Sequence, residues 1–389
     1  MALTSTAPSR AARPPLATLL GVSTMTIMAS ATITPALPGM ERHFAGEPNV
    51  ELMVRLVLTL PGLAIMVSAP LLARLGTRVG RVRVLLGALL LYLVAGGSGL
   101  LVDSLSALLV GRALLGVGIA GIMTTSTALL ADHHPAGEHG RVLGLQGAAM
   151  GFGGVVALLL GGVLAAASWR GPFAVYLLAL PFLLLVWRRV SEPPAPPPFE
   201  AGLARRRWSA RLLGLYGLVF LGVLVFYTVP TQAPFWLARI GDAGPAVTGV
   251  LIAEVNLVAT LVGLGFGRLR NRLGFATLAA VMFGAYAVGL AVVGTAPGLW
   301  AAAIGMAVVG VGIGLQNPTM NGWTVASVDP AARTKALGGT TAALFLGQFA
   351  SPLVAQPLIT GAGFAPMFLT AAALAALAAT LPALVRRLR

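Results

Sequence analysis

Residues 74–83 read RLGTRVGRVR, an arginine- and glycine-rich clasp set between two long apolar runs, and RLRNRLG at 268–274 repeats its outline. Working outward, GVGI at 116–119 returns at 310–313, and RVLG at 141–144 is matched by KALG at 335–338. A single shift of 194 positions relates all three pairs. An offset held over so long a chain marks an internal duplication: whatever unit the first half builds, the second half builds again in the same direction.

Hydrophobic residues make up 57% of the 389 positions and charged ones 10%, too little polarity to cover a water-facing globule of this size. The apolar runs are far longer than the alternating segments of about ten residues that a barrel would use, so the spanning element is the helix. At about 20 apolar residues per crossing, spans are expected at 16–40, 50–72, 84–102, 106–130, 142–166 and 171–187, then at 211–232, 246–267, 275–295, 298–325, 336–360 and 365–385. Arg10, Arg13 and the small residues ASA at 29–31 raise the alternative of a cleaved signal peptide. The apolar run continues past that point, which favours a retained first span. Cysteine is absent, which excludes disulfides and thiolate chemistry.

Twelve spans starting inside put both termini in the cytoplasm. Of the 26 basic residues, 21 then fall at inner ends, Arg42, Arg170 and Arg239 lie outside, and Arg55 and Arg112 lie within spans. That skew is the positive-inside pattern. It accounts for a formal charge of +15 by topology, with no nucleic-acid partner. The expectation is a multi-pass monomer of a bacterial inner or cytoplasmic membrane, with the lipid bilayer as its surroundings. RRVSEPPAPPPFEAGLARRRW at 188–208 can neither continue a helix nor enter lipid, so 188–210 is read as a cytoplasmic linker between bundles at 1–187 and 211–389. Six spans per copy give two similarly oriented bundles, related by a pseudo-two-fold axis along the membrane normal, with a substrate path between them.

These residues carry a resemblance to the major facilitator superfamily, and within it to the twelve-span drug:proton antiporters. The family's hairpin between spans two and three reads Gly-x-x-x-Asp-Arg-x-Gly-Arg-x-Arg, and Arg78, Gly80, Arg81 and Arg83 stand at matching places. Ala73 and Thr77 depart from it; in the second copy Gly267, Arg272 and Gly274 match, while Asn271 replaces the acid. By the resemblance, Thr77, Arg78, Gly80, Arg81, Asn271, Arg272 and Gly274 form an inner gate. With both acids missing, Asp132 and Asp329 are the expected partners of Arg78 and Arg272. RALLGVGIAG at 112–121 resembles the fourth-span motif Arg-x-x-x-Gly-x-Gly, which implies a part for Arg112 in proton coupling. GAAMGFGGVVALLLGG at 147–162 has the fifth-span glycine spacing without its Gly-Pro pair. TPALP at 34–38 and WRGPF at 169–173 resemble family turns more weakly.

Glu254 lies about nine residues into the eighth span, roughly 13 Å along its axis. A carboxyl group at that depth is costly to ionise, which suits a proton carrier. Glu51 and Arg55, four apart on the second span, can pair within the helix or join Arg112 in a switchable ion network. Polar and soft residues at helical spacing mark a pocket: Met25, Met28 and Thr32; Met123; Gln146 and Met150; Tyr227 and Thr231; Asn317, Asn321 and Thr324; Gln348 and Gln356. Such a lining suits a lipophilic solute better than a sugar. His133, His134 and His139 show no ligand geometry, so no metal is expected, nor any cofactor. An enzyme or a sensor would need intramembrane catalytic groups or a soluble output domain, and neither is present in the sequence. The expected function is proton-coupled efflux of small lipophilic or cationic compounds by alternating access; the alternative is proton-coupled import of a small organic solute.

Overall fold

The computed structural model describes residues 16–193 and 209–387, so most of the expected linker at 188–210 lies outside the described residues. Among the described residues, twelve helices are long and apolar enough to cross a membrane. In chain order they are span 1 (Leu16–His43), span 2 (Val50–Val79), span 3 (Arg81–Leu100), span 4 (Leu105–Asp132), span 5 (His139–Ala167) and span 6 (Gly171–Arg189). The second set comprises span 7 (Ala210–Gly241), span 8 (Pro245–Arg270), span 9 (Phe275–Gly294), span 10 (Leu299–Ala326), span 11 (Arg333–Ala362) and span 12 (Phe364–Arg387).

The opening stretch is more helical than a clasp suggests. Span 2 continues to Val79, past its expected end at 72, because arginine and threonine can extend a helix beyond the apolar layer and nothing breaks it before Gly80. That glycine, at φ +107°, is the whole turn, and span 3 starts at Arg81. A left-handed backbone at this place requires glycine.

The shift of 194 reappears in three dimensions. Added to the starts of spans 3, 4 and 5 it gives the starts of spans 9, 10 and 11. It also carries the interruption of span 1 at Ile33, before a short 3-10 turn, onto the interruption of span 7 at Tyr227. The GVGI repeat has the same cause in both copies. A methyl group on Gly116 would lie 2.5 Å from the Pro61 carbonyl oxygen of span 2, and one on Gly310 would lie 2.8 Å from that of Val255 in span 8. Gly118 and Gly312 in turn lie against Tyr92 and Tyr286 on spans 3 and 9. Without side chains at these positions, spans 4 and 10 approach both neighbours at backbone distance.

Between the halves, span 5 packs on span 8 and span 2 on span 11. These contacts run from the arginine-poor ends to the middle of the helices, as Gly151 against Thr260 and Gly62 against Gln348 show. Gly162 and Gly249 bring spans 5 and 8 together so closely that a methyl on Gly249 would stand 3.0 Å from the Gly162 Cα. The tip of span 1, Leu37–His43, meets the second segment of span 7, Thr228–Gly241, at the arginine-poor end.

Candidate functional site

At the arginine-poor end, polar groups bridge the halves. Arg55, only 1% exposed, donates from Nε to the Gln232 Oε1 of span 7 at 2.6 Å and from Nη1 to Glu41 at 2.8 Å. Its guanidinium lies 4.1 Å from the centre of the Phe235 ring. Nη1 also reaches the Glu51 main-chain oxygen, while the Glu51 carboxylate accepts from Gln356 Nε2 of span 11. A guanidinium this deep costs several kcal/mol to desolvate unless its donors are met, so the cluster holds that end shut. Gln348 lies against Gly62 one layer further in.

The arginine-rich ends are arranged differently. Thr77, Arg78, Asn271, Arg272 and Gly274 are exposed. Arg81, rather than the expected Arg78, pairs with Asp132. The backbone N–H groups of Arg81 and Val82 donate to the carboxylate of Glu192, just after span 6. Glu192 thus supplies an acid to a hairpin whose own acid position is Thr77, and does so at a helix N-terminus, where negative charge is favoured. All these partners belong to the first half. In the second half, Arg270 lies 4.1 Å over the Phe275 ring. The side-chain hydrogen bonds between the halves, Arg55 with Gln232 and Glu51 with Gln356, thus lie at the arginine-poor end, while the hairpin residues at the other end are exposed.

Arg112 is 1% exposed and does not join Glu51, contrary to the network reading. Its Nη1 donates to Tyr176 Oη at 2.7 Å, and its guanidinium lies 4.9 Å from both the Phe173 and Tyr176 rings. Tyr176 passes its own hydrogen to the Ala29 carbonyl. The arginine is seated against span 6 because Gly111 and Gly116 turn the other faces of span 4 toward spans 3 and 2.

Glu254 is also placed differently from its expected position. It is partly exposed, on the face of span 8 that carries Val247, Val250, Leu257, Leu261 and Leu264, all open. The faces used for packing carry Gly249, against span 5, and Val255 and Val258, against span 10. Four-residue spacing from Val250 turns Glu254 outward from the bundle, so it does not line the cleft.

The pocket residues divide. Met25, Thr32, Thr231, Thr324, Gln348 and Gln356 are buried. Gln146 is buried too, donating to Ser23 and Thr127 in a first-half hydroxyl network with Ser126. Met28, Met123, Met150 and Tyr227 are partly exposed, and Asn317 and Asn321 are exposed. Sequence reasoning missed Gln232 and Phe235, and also Gln316, which accepts from Tyr286 at 2.5 Å. The 194-residue shift offered a signal for Gln232, since it carries the TPALP kink of span 1 onto residues 228–232. His133 and His134 face main-chain oxygens at 2.8 Å, and His139 does so at 2.9 Å.

Twelve apolar spans in two duplicated halves define a multi-pass membrane protein. Residues 19–295 match the model of the Major Facilitator Superfamily, and the chain belongs to that family. It is 28% identical to a class E tetracycline resistance protein of Escherichia coli, over 83% of this chain and 82% of that one. It is 35% identical over 142 residues to an uncharacterised MFS-type transporter of Mycobacterium tuberculosis, an alignment that takes in 36% of this chain and only 20% of that relative. Among solved structures, a bacterial homologue of the lysosomal transporter Spinster, inward-facing and unoccupied, superposes with a TM-score of 0.78 at 16% identity, covering 96% of each chain. The inward-open xylose transporter of E. coli gives 0.78 at 15%, covering 96% of this chain and 95% of that one.

Proposed function

We propose that this transporter exports small lipophilic compounds, cations among them, in exchange for protons, by alternating access across the plane between its halves. The arginine-rich face, with both termini, lies in the cytoplasm of a bacterial cell. One observation carries the reading: the halves meet through Arg55, Gln232, Glu51 and Gln356 at one end and present exposed hairpins at the other. A rigid-body rocking of one bundle on the other exchanges which end is shut.

The substrate class rests on the reachable lining. Met28, Met123, Met150 and Tyr227 offer adaptable apolar surface, and Asn317 and Asn321 offer a few hydrogen bonds. Resemblance to tetracycline resistance proteins agrees with this. Coupling is assigned to the carboxylates that lie between the halves, Glu41 and Glu51 with Arg55, and Glu254 has no part in it. The reverse direction, solute import with protons, has the support of a similar fold in a D-xylose–proton symporter.

Reconstitution into proteoliposomes with an imposed pH gradient tests the proposal, with a panel of lipophilic cations compared with neutral solutes and sugars. Solute movement opposite to protons, abolished by a protonophore, is the expected result. Movement in the same direction as protons would establish import, and movement indifferent to the gradient would remove coupling altogether.

A further inference from the structure

Glu51 and Arg55 stand four residues apart on one face of span 2, the spacing at which oppositely charged side chains pair. In the closed gate they form no ion pair with each other. Arg55 gives its Nε hydrogen to Gln232, and Glu51 takes one from Gln356. Both glutamines belong to the second half. Arg55 already rests on the Glu51 main-chain oxygen, so a turn of the Glu51 side chain alone brings carboxylate and guanidinium together.

We propose that the gate works by partner exchange: two hydrogen bonds between the halves hold it closed, and a Glu51–Arg55 ion pair within span 2 replaces them when it opens. This rests on the alternating-access reading. As the halves part at this end, Gln232 and Gln356 leave with the second bundle while Glu51 and Arg55 stay on one helix. Each state thus satisfies both charges, which is the requirement for a two-state element with no high-energy intermediate.

The glutamines carry a second clue. Gln356 Oε1 is buried without a hydrogen-bond partner, as is Gln232 Nε2. Glu51→Gln would fill the first vacancy, its amide donating to Gln356 Oε1 while still accepting from Nε2, and it could no longer form the ion pair that favours opening. The other charged groups facing the pair are Glu41, which moves with Arg55 because both belong to the first half, and Arg239 of span 7.

The chain has no cysteine, so Gly46→Cys and Gly361→Cys place spin labels at exposed positions across the gate, neither of which crowds an added side chain. Distances are read in lipid vesicles without substrate, so the outcome does not depend on the solute transported. Gln232→Leu with Gln356→Leu should raise the long-distance, open population by roughly fivefold or more, since two hydrogen bonds of modest net weight are lost from the closed state alone. Adding Glu51→Gln should return it toward the original ratio. If the double variant opens and the triple variant stays as open, the exchange is wrong while alternating access survives. A single unchanging distance in every variant overturns both. Glu51→Gln alone, nearly isosteric, supplies a second arm: it should shrink the open population relative to the parent protein, since the ion pair that stabilises opening is lost. An unchanged or larger open population in this variant would also overturn the exchange.

Discussion

Tyr176 is the residue on which a buried cation depends. Its hydroxyl joins Arg112 to the Ala29 carbonyl, and its ring carries half of the aromatic seat. Tyr176→Phe keeps the ring and strands a further N–H of a buried guanidinium, which costs about 1–3 kcal/mol. The expected outcome is a fall of several degrees in the melting temperature in detergent, whereas Tyr227→Phe, at a partly exposed position, should have little effect. Glu254→Gln gives the opposite expectation: proton-driven transport should persist within about twofold, because the side chain faces outward among valines and leucines. Depth along the helix was legible for both residues, but azimuth was not. Arg112 was found from its motif, yet its partner lies 64 positions away in a turn whose sequence, WRGPFAVY, gives no sign of it. For Glu254 the open stripe of Val250, Leu257 and Leu261 was present in the sequence at helical spacing, but in lipid an apolar face is as apt to point outward as inward, so hydrophobicity alone could not fix the direction.

At the scale of elements, three loops of the first half are tied together at the arginine-poor face. Asp103 accepts from Arg170 at 2.9 Å and contacts His43 Nε2 at 2.7 Å, with Trp169 stacked beside both. These hydrogen bonds, His43 first and Arg170 second, hold the Asp103 carboxyl below the usual carboxylate range. A folded-state value lower than the unfolded one stabilises the protein above the unfolded carboxylate value of about 3.9. That contribution disappears as pH falls through the folded value. Asp103→Asn should therefore lower the melting temperature slightly at pH 7, with the difference from the parent protein closing toward pH 3, as a pH series of thermal scans would show. Helix contacts allow a larger prediction. Gly116→Val and Gly310→Val press on corresponding backbone oxygens, so each should destabilise by about 1–3 kcal/mol and to a similar degree. Gly217→Ala, with open space around it, should be neutral. The number and order of the spans were legible because length and apolarity determine them. Their ends were not: span 2 runs on through RLGTRV, since charge marks where the membrane stops and only backbone conformation marks where a helix stops.

At the scale of the whole molecule, the duplication was visible in three short words of sequence, and it recurs in paired helix starts, paired kinks and paired glycine contacts. What the sequence could not show is which end of the cleft is closed, because that depends on groups more than 170 residues apart, Arg55 with Gln232 and Glu51 with Gln356. Either residue of a pair looks ordinary until the other is brought to it. The meeting of Gly162 with Gly249 gives this closure its mechanical character. Two bare backbones rolling on one another make a fulcrum with no cushion, set near one extremity of the lever. A small tilt there sweeps the far mouth through a wide arc while the near lips separate only a little. On the alternating-access proposal a small solute enters by the wider mouth and leaves by the narrower slot, and a single methyl shimmed into the bearing, as in Gly249→Ala, should leave the lips ajar.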